Sequence, residues 1–368
     1  MVILAQDQFN VEHIFRLTDD TGMFQHCKYG VPDPKKGYTT DDNARALIAA
    51  VMLYDQFKEK KYLDLVYRYL SFLLNAQNSK GRFKNFMNYH REFIEEEGSE
   101  DCFGRCIWAL GYTLATASIP ENIKHTCRYI LSQALPNTKS LKWLRGKAYT
   151  AIGLGYLISG QEHKHFQLGS IGKSENNTYV DEYCKANITV DHIEQLVQPL
   201  IQQYQQHSSP DWNWFEDHLT YSNAVLPWSL LTAYQVLNKQ DYLDFALESL
   251  NFLEKITLKN RYFKPIGCHG WMAKGKEPAS FDEQPIEACE MMLTYLKAYE
   301  ILKDQKYFDK AKICFEWYRG YNSKKICLID SDTGGCYDGI TLNGPNLNQG
   351  AESILSYCIA YLTLSKYV

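Results

Sequence analysis

"KKYLDLVYRYLSFL" (Lys60–Leu73) recurs far along the chain as "KQDYLDFALESLNFL" (Lys239–Leu253). Aligning Tyr62 with Tyr242 also aligns Leu63 with Leu243, Asp64 with Asp244, Leu70 with Leu250, Phe72 with Phe252 and Leu73 with Leu253. A third copy, "DQKYFDKAKICFEWY", puts Tyr307, Phe308 and Asp309 in the same places. Apolar residues return three and four apart, which buries one face of a helix. Each copy follows a segment that ends alike: "AVMLYDQFKEK", "LLTAYQVLNKQ" and "LKAYEILKDQ". The repeating unit is helix, short polar turn, helix, and such self-similarity marks an architecture built from stacked units.

The same spacing runs through Cys102–Ala117, Asn122–Leu135, Trp143–Ile158, Asp191–Tyr204, Asn223–Leu237, Ile286–Leu302 and Gly350–Leu364. With the helix that follows "GYTTDD", the three Tyr-led helices and a short one near Gln8–Leu17, the count is about twelve. Alternating strand patterns are nearly absent; "RYFKPIG" (Arg261–Gly267) reads as a short ribbon. The polar stretch Ser159–Asn187 reads as an exposed excursion. An open array needs polar capping repeats at its ends. The last segment, "SILSYCIAYLTL", is among the most apolar, so it is expected to pack against the first. The prediction is an all-α single domain over residues 1–368, an (α/α)6 toroid of alternating inner and outer helices. An open array of tetratricopeptide type is the alternative.

Composition fits a closed domain of this size. The 368 residues are 45% hydrophobic and 22% charged, with a net charge of −4 that offers no attraction to nucleic acid or anionic lipid. No stretch is long and apolar enough to span a membrane, and the opening "MVILAQDQFNVEH" is too short an apolar run for a signal peptide. The 11 cysteines are scattered, with Cys106, Cys289, Cys314 and Cys358 at core-like helical positions. They read as reduced residues of a cytoplasmic protein. No cofactor is expected, and no metal: no Cys/His cluster has the ligand spacing of zinc, and although carboxylate clusters can hold Ca²⁺, no loop has the calcium spacing.

In a closed ring the loops leading into the inner helices open on one face, so their polar residues converge. Those segments read "GYTTDDNAR" (Gly37–Arg45), "GSEDCFGR" (Gly98–Arg105), "LKWLRGKAY" (Leu141–Tyr149), "DWNWFEDHLTYSNA" (Asp211–Ala224), "SFDEQPIEA" (Ser280–Ala288) and "GGCYDGITLNGPNLNQGAES" (Gly334–Ser353). Five of the six carry carboxylates. Asp41, Asp42, Glu100, Asp101, Asp282 and Glu283 form the pool from which a catalytic acid and base are drawn. Close carboxylates repel, so one keeps its proton while its neighbour ionises, and glycoside hydrolysis needs that division. If the reaction inverts, the two groups stand roughly 6.5–9.5 Å apart, as opposite segments carrying Asp42 and Glu283 would allow. Tyr38, Phe103, Trp212, Trp214, Phe215, Trp228 and Trp271 are candidate stacking faces for sugar rings. Arg45, Arg105, Arg145, Asp217, Asn223, Gln284, Asp338, Asn348 and Glu352 are candidates to hold hydroxyls.

Plainer roles compete. Asp41, Asp42, Asp101 and Asp282 all sit where a helix begins and can serve as caps, although Thr39 and Thr40 can cap the first of these helices instead. Asp338 fits a Gly-rich turn, His26 and His269 read as buried and satisfied, and Trp108 and Trp317 read as core.

The stretches "QHCKYGVPDPKKGYTTDDNARAL", "WNWFEDHLTYSNAVLPWSLL", "FDEQPIEA" and "DTGGCYDGITLNGPNLNQGAES" resemble a bacterial glycosidase-like family whose members occur alone or fused behind retaining glycosyltransferase domains. The resemblance covers nearly the whole chain. It implies an (α/α)6 toroid, a role in carbohydrate metabolism and a functional link to a glycosyltransferase on another chain. In outline it is similar to toroid mannanases that use an adjacent Asp pair.

The expected activity is a glycoside hydrolase acting on an oligosaccharide, a mannoside among the candidates. A sugar 2-epimerase of the same fold and a non-catalytic sugar-binding partner are the alternatives. Epimerisation usually relies on His as base, and the segments above are rich in acids and poor in His.

Overall fold

The computed structural model describes residues 9–159, 165–167, 187–259 and 261–367. The opening residues 1–8, and most of the stretch read as an exposed excursion, lie outside them.

Six helices are buried nearly all round: α2 (Thr40–Phe57), α4 (Glu100–Ala115), α6 (Leu144–Ile158), α8 (Val225–Leu237), α10 (Pro285–Leu302) and α12 (Ala351–Leu364). Their sequences are apolar on every side, which suits a helix with neighbours on every side. The others carry one buried stripe each: α1 (Glu12–Arg16), α3 (Lys60–Ala76), α5 (Glu121–Ala134), α7 (Val190–His207), α9 (Gln240–Thr257) and α11 (Gln305–Glu316). In α3 that stripe is Tyr62, Leu65, Val66, Tyr69, Leu70, Phe72 and Leu73.

The inner helices follow one another around a ring: α2 packs on α4, α4 on α6, α6 on α8, α8 on α10 and α10 on α12. The ring closes because α12 packs on α2. Each outer helix from α3 to α11 lies on the inner helix before it, and α1 lies on α12. The architecture is the (α/α)6 toroid, not the open array. Among the described residues, strands are confined to ribbons of two or three residue pairs in the loops, such as Leu258–Lys259 with Tyr262–Phe263.

The three repeated segments share one turn geometry. Lys58, Asn238 and Lys303 end α2, α8 and α10 in the left-handed region, at φ 57°, 55° and 57°. Their N–H groups donate to the carbonyls of Tyr54, Tyr234 and Tyr299. The next helix then starts with a buried Tyr62, Tyr242 or Tyr307. The approach of α4 to α6 depends on glycine: a Cβ on Gly111 would stand 2.0 Å from the Gly153 carbonyl oxygen.

The described cysteines are all free, and most are buried, Cys106, Cys289, Cys314 and Cys358 among them. Among the described residues no helix is long and apolar enough to cross a membrane.

Candidate active site

The N-terminal ends of the inner helices share one face of the ring. A cavity of about 350 Å³ opens there between α2, the start of α10 and the loop into α12. Asp41, Asp42, Arg45, Asp338 and Glu352 supply its charges; Gln25, His26, Thr39, Asn85, Phe86, Gln284, Asn346, Gly350 and Ser353 complete the wall.

Capping does not account for the two aspartates. Thr39 is the N-cap of α2, its hydroxyl accepting from the Asp42 N–H. Asp41 and Asp42 therefore enter the first turn with their side chains free for other partners. Arg105 spans Asp41, its Nη1 donating to Oδ1 at 3.0 Å and Oδ2 at 2.9 Å. Arg45 donates to Asp42 Oδ1 and to Glu352 Oε2, both at 2.8 Å. The Thr39 hydroxyl donates to Asp42 Oδ2 at 2.6 Å.

Their acidities diverge for physical reasons. Burial opposes ionisation of Asp41, but the Arg105 and Arg45 guanidiniums together outweigh it, and its carboxyl lies below the ordinary range. Burial pushes Asp42 up to about 7; Arg45 opposes the rise, while the Asp41 and Glu352 charges add to it. The pair thus holds one ionised carboxylate beside one carboxyl half-protonated near neutral pH, the arrangement that acid–base chemistry requires. Asp338 is the third acidic group of note. It accepts from the Gly350 N–H and the Ser353 hydroxyl, both at 2.7 Å, and burial raises its pKa.

The remaining candidates from the sequence lie elsewhere. Glu100 accepts from the Lys142 and Trp143 N–H groups at 2.7 Å and ties down the start of α6. Asp101 accepts from the Tyr221 hydroxyl at 2.6 Å. Ser99 caps α4, so neither acid does. Asp282 precedes the N-cap of α10, which is Gln284. Glu283 is buried away from the cavity, accepting from Trp317 Nε1 at 2.9 Å and from the Ser323 hydroxyl. The carboxyls that accompany Asp42 in the cavity wall are Asp41, Asp338 and Glu352; Glu283 does not line it.

Arg145 is bound by Glu216, Thr220, Asn223 and the Tyr221 carbonyl. Asp217 meets His207 at 3.0 Å on the surface, and Asn348 accepts from the Tyr29 N–H at 3.0 Å. Tyr38, Phe103, Trp212, Trp214, Phe215 and Trp228 are sealed in the core and present no open ring face. Trp214 packs against Phe215 and against Phe252 of outer helix α9, whereas Trp228 meets Trp108 of the inner helix α4. Trp271 is partly open and neighbours the Tyr221 ring at 6.4 Å.

Two histidines differ from the sequence reading: His26 and His269 are both exposed, and His26 lines the cavity. Trp108 and Trp317 are core, as read. The cavity's Gln25, Asn85, Phe86 and Asn346 carried no signal in the sequence, because each reaches the site from a ribbon or loop of no regular period. Glu287 and Glu290, one turn apart on α10, are buried with their pKa values raised, first by burial. Among the described residues no three His, Cys, Asp or Glu side chains gather as a metal-binding group.

The described helices form a closed ring of hairpins with an acidic cavity at its mouth. The sequence matches no family model and no curated protein. Solved structures match over nearly the full chain. A sugar epimerase from a ruminal bacterium aligns with a TM-score of 0.70 at 14% identity, covering 98% of this chain and 97% of its own. The GH76 α-mannanase of Bacteroides thetaiotaomicron aligns at 0.64 and 12% identity, covering 99% and 97%. An inactive α-1,6-mannanase variant of Salegentibacter sp., with two adjacent aspartates changed to asparagine and α-1,6-mannotriose bound, aligns at 0.59 and 11% identity, covering 97% and 96%. The shared property is the fold.

Proposed function

We propose that the protein is a glycoside hydrolase that cleaves an oligosaccharide, with α-linked mannosides the first class to test. Asp42 donates the proton to the leaving oxygen, and Asp41 is the ionised member of the pair. The observation that carries this reading is the divergence of the two neighbouring aspartates in one cavity wall: Asp41 fixed by Arg105, Asp42 held to about 7. An adjacent Asp pair is also what was changed in the inactive mannanase variant. Asp338, Gln284, Glu352 and Arg45 are proposed to bind hydroxyls or position water. The link to a glycosyltransferase and a cytoplasmic location belong to the same reading.

The test is release of reducing ends from defined oligosaccharides, with the anomer of the product read by proton NMR. Asp42→Asn and Asp41→Asn should each lower kcat by about 10²–10⁴-fold, the usual weight of a general acid or base. Turnover that survives both substitutions overturns the assignment, and binding without turnover makes the protein a sugar-binding partner.

One observation favours a second reading. His26 stands exposed in the cavity wall, and a His base is what a sugar 2-epimerase uses. Epimerised product carrying solvent deuterium at C2, with no bond cleavage, would select that chemistry.

A further inference from the structure

Behind Asp41 a chain of buried polar groups crosses the ring. Arg105, having used Nη1 on Asp41, donates from Nη2 to the Tyr149 hydroxyl oxygen at 3.2 Å. Tyr149 in turn donates to Glu290 Oε1. The Ser222 hydroxyl lies 3.0 Å from the Tyr149 oxygen and 3.3 Å from Glu290 Oε1. These groups stand on α2, α4, α6, the loop into α8, and α10; Asp41 is partly open to the cavity and the others are buried. The Tyr149 ring is held on its own account. The Arg105 guanidinium lies over one face at 4.7 Å, and Trp108 stacks at 5.9 Å. Neither Tyr149 nor Glu290 lines the cavity.

Two atoms of this chain, Arg105 Nε and Glu290 Oε2, are buried without a hydrogen-bond partner. The guanidinium's hydrogen bonds are therefore made by its Nη groups alone: one side is Asp41, the other Tyr149. We propose that Tyr149 and Glu290 are positioning residues that aim Arg105 Nη1 at both oxygens of Asp41. The proposal rests on the reading of Asp41 as the ionised member of the catalytic pair. The charged groups that face Asp41 are Asp42 and Arg45 on its own helix, Arg105 on α4, and Glu352 on α12 beyond Arg45. His26 and Asp338 come from the loops around the cavity. Of these, only Arg105 holds both Asp41 oxygens.

The test is the titration of Asp41 itself, followed by carbon NMR of protein labelled at the Asp carboxyl carbons, with the Asp41 signal assigned by its loss in Asp41→Asn. Tyr149→Phe keeps the stacked ring and removes the hydroxyl; Glu290→Met removes the acceptor behind it. Both should raise the Asp41 midpoint by about one pH unit, a tenfold loss of preference for the ionised form. Glu290→Gln keeps an acceptor for Tyr149 and should leave the midpoint at or below that of the unaltered protein. A purely electrostatic role for Glu290 predicts the opposite pattern, with Met and Gln alike and both lower. An unmoved midpoint in whichever of Tyr149→Phe and Glu290→Met folds, or a Gln variant that rises with Met, overturns the inference. The titration needs no substrate, so it stands or falls separately from the glycosidase assay. On a cleaved substrate, the acid limb of kcat/KM should follow the midpoint while KM stays within twofold.

Discussion

Asp42 carries a cost that its neighbours only partly relieve. It is buried, and its pKa lies at about 7 against an ordinary 3.8. Between those values the native state keeps a proton that the unfolded chain has lost. The stability from this proton is therefore present below about pH 4 and is lost as pH rises through about 7. Asp42→Asn has no charge to bury, and its Arg45 partner keeps Glu352. The variant should gain on the unaltered protein by roughly 2–3 kcal/mol between pH 5 and pH 8. Chemical denaturation at the two pH values measures this, and a pH-independent difference would contradict it. The same proton sets the rate profile under the proposed mechanism: hydrolysis should fall on the alkaline side with a midpoint near 7, as Asp42 loses the proton that it donates. Acid inactivation should follow Asp41, whose ionised form Arg105 protects.

At the scale of elements, the turns within the hairpins store strain that losing a Cβ relieves. Lys303 sits at φ 57° with a Cβ that this conformation disfavours. Lys303→Gly should stabilise the protein by about 0.5–1 kcal/mol, the αL penalty less the extra entropy of a free glycine. Asn238→Gly should gain less, since Asn tolerates this region. The opposite holds where α4 meets α6. Gly111→Ala drives a methyl into the Gly153 backbone, which cannot swing away as a side chain can. A loss of about 3 kcal/mol is expected, read as a lowered denaturation midpoint; a neutral Gly111→Ala would mean that the two helices slide apart freely.

The whole molecule is a ring, and a ring has no terminal repeat. In an open array each unit touches only its neighbours, and removing the last one leaves the rest folded. Here α12 touches both α10 and α2. Removing it bares two faces that are buried all round, and it takes away Glu352, which pairs with the buried Arg45. A chain ending before Ala351 should fail to give a cooperative unfolding transition by circular dichroism. Retention of one would show that the closing contact is dispensable.

The helices and their pairing were legible because burial imposes a period that the chain writes out directly. Ile286–Leu302 as read and Pro285–Leu302 as folded differ by one residue, and the recurring Tyr-led segments mark the three αL turns. Closure was legible too, from an apolar last helix that needed a partner. The sequence also placed Asp41, Asp42, Arg45, Gln284, Asp338 and Glu352 on the face where the cavity lies. Tertiary structure alone decided which of many acids meet there. Glu283 and Gln284 are neighbours in the chain, yet one turns inward to Trp317 and the other faces the cavity. It alone decided that Tyr38, Phe103, Trp212, Trp214 and Phe215 pack the core, and that Arg105 rather than any nearer cation clasps Asp41. The physical reason is that periodicity records which side of a helix is dry, whereas a carboxylate's partner and its proton depend on groups brought from other helices.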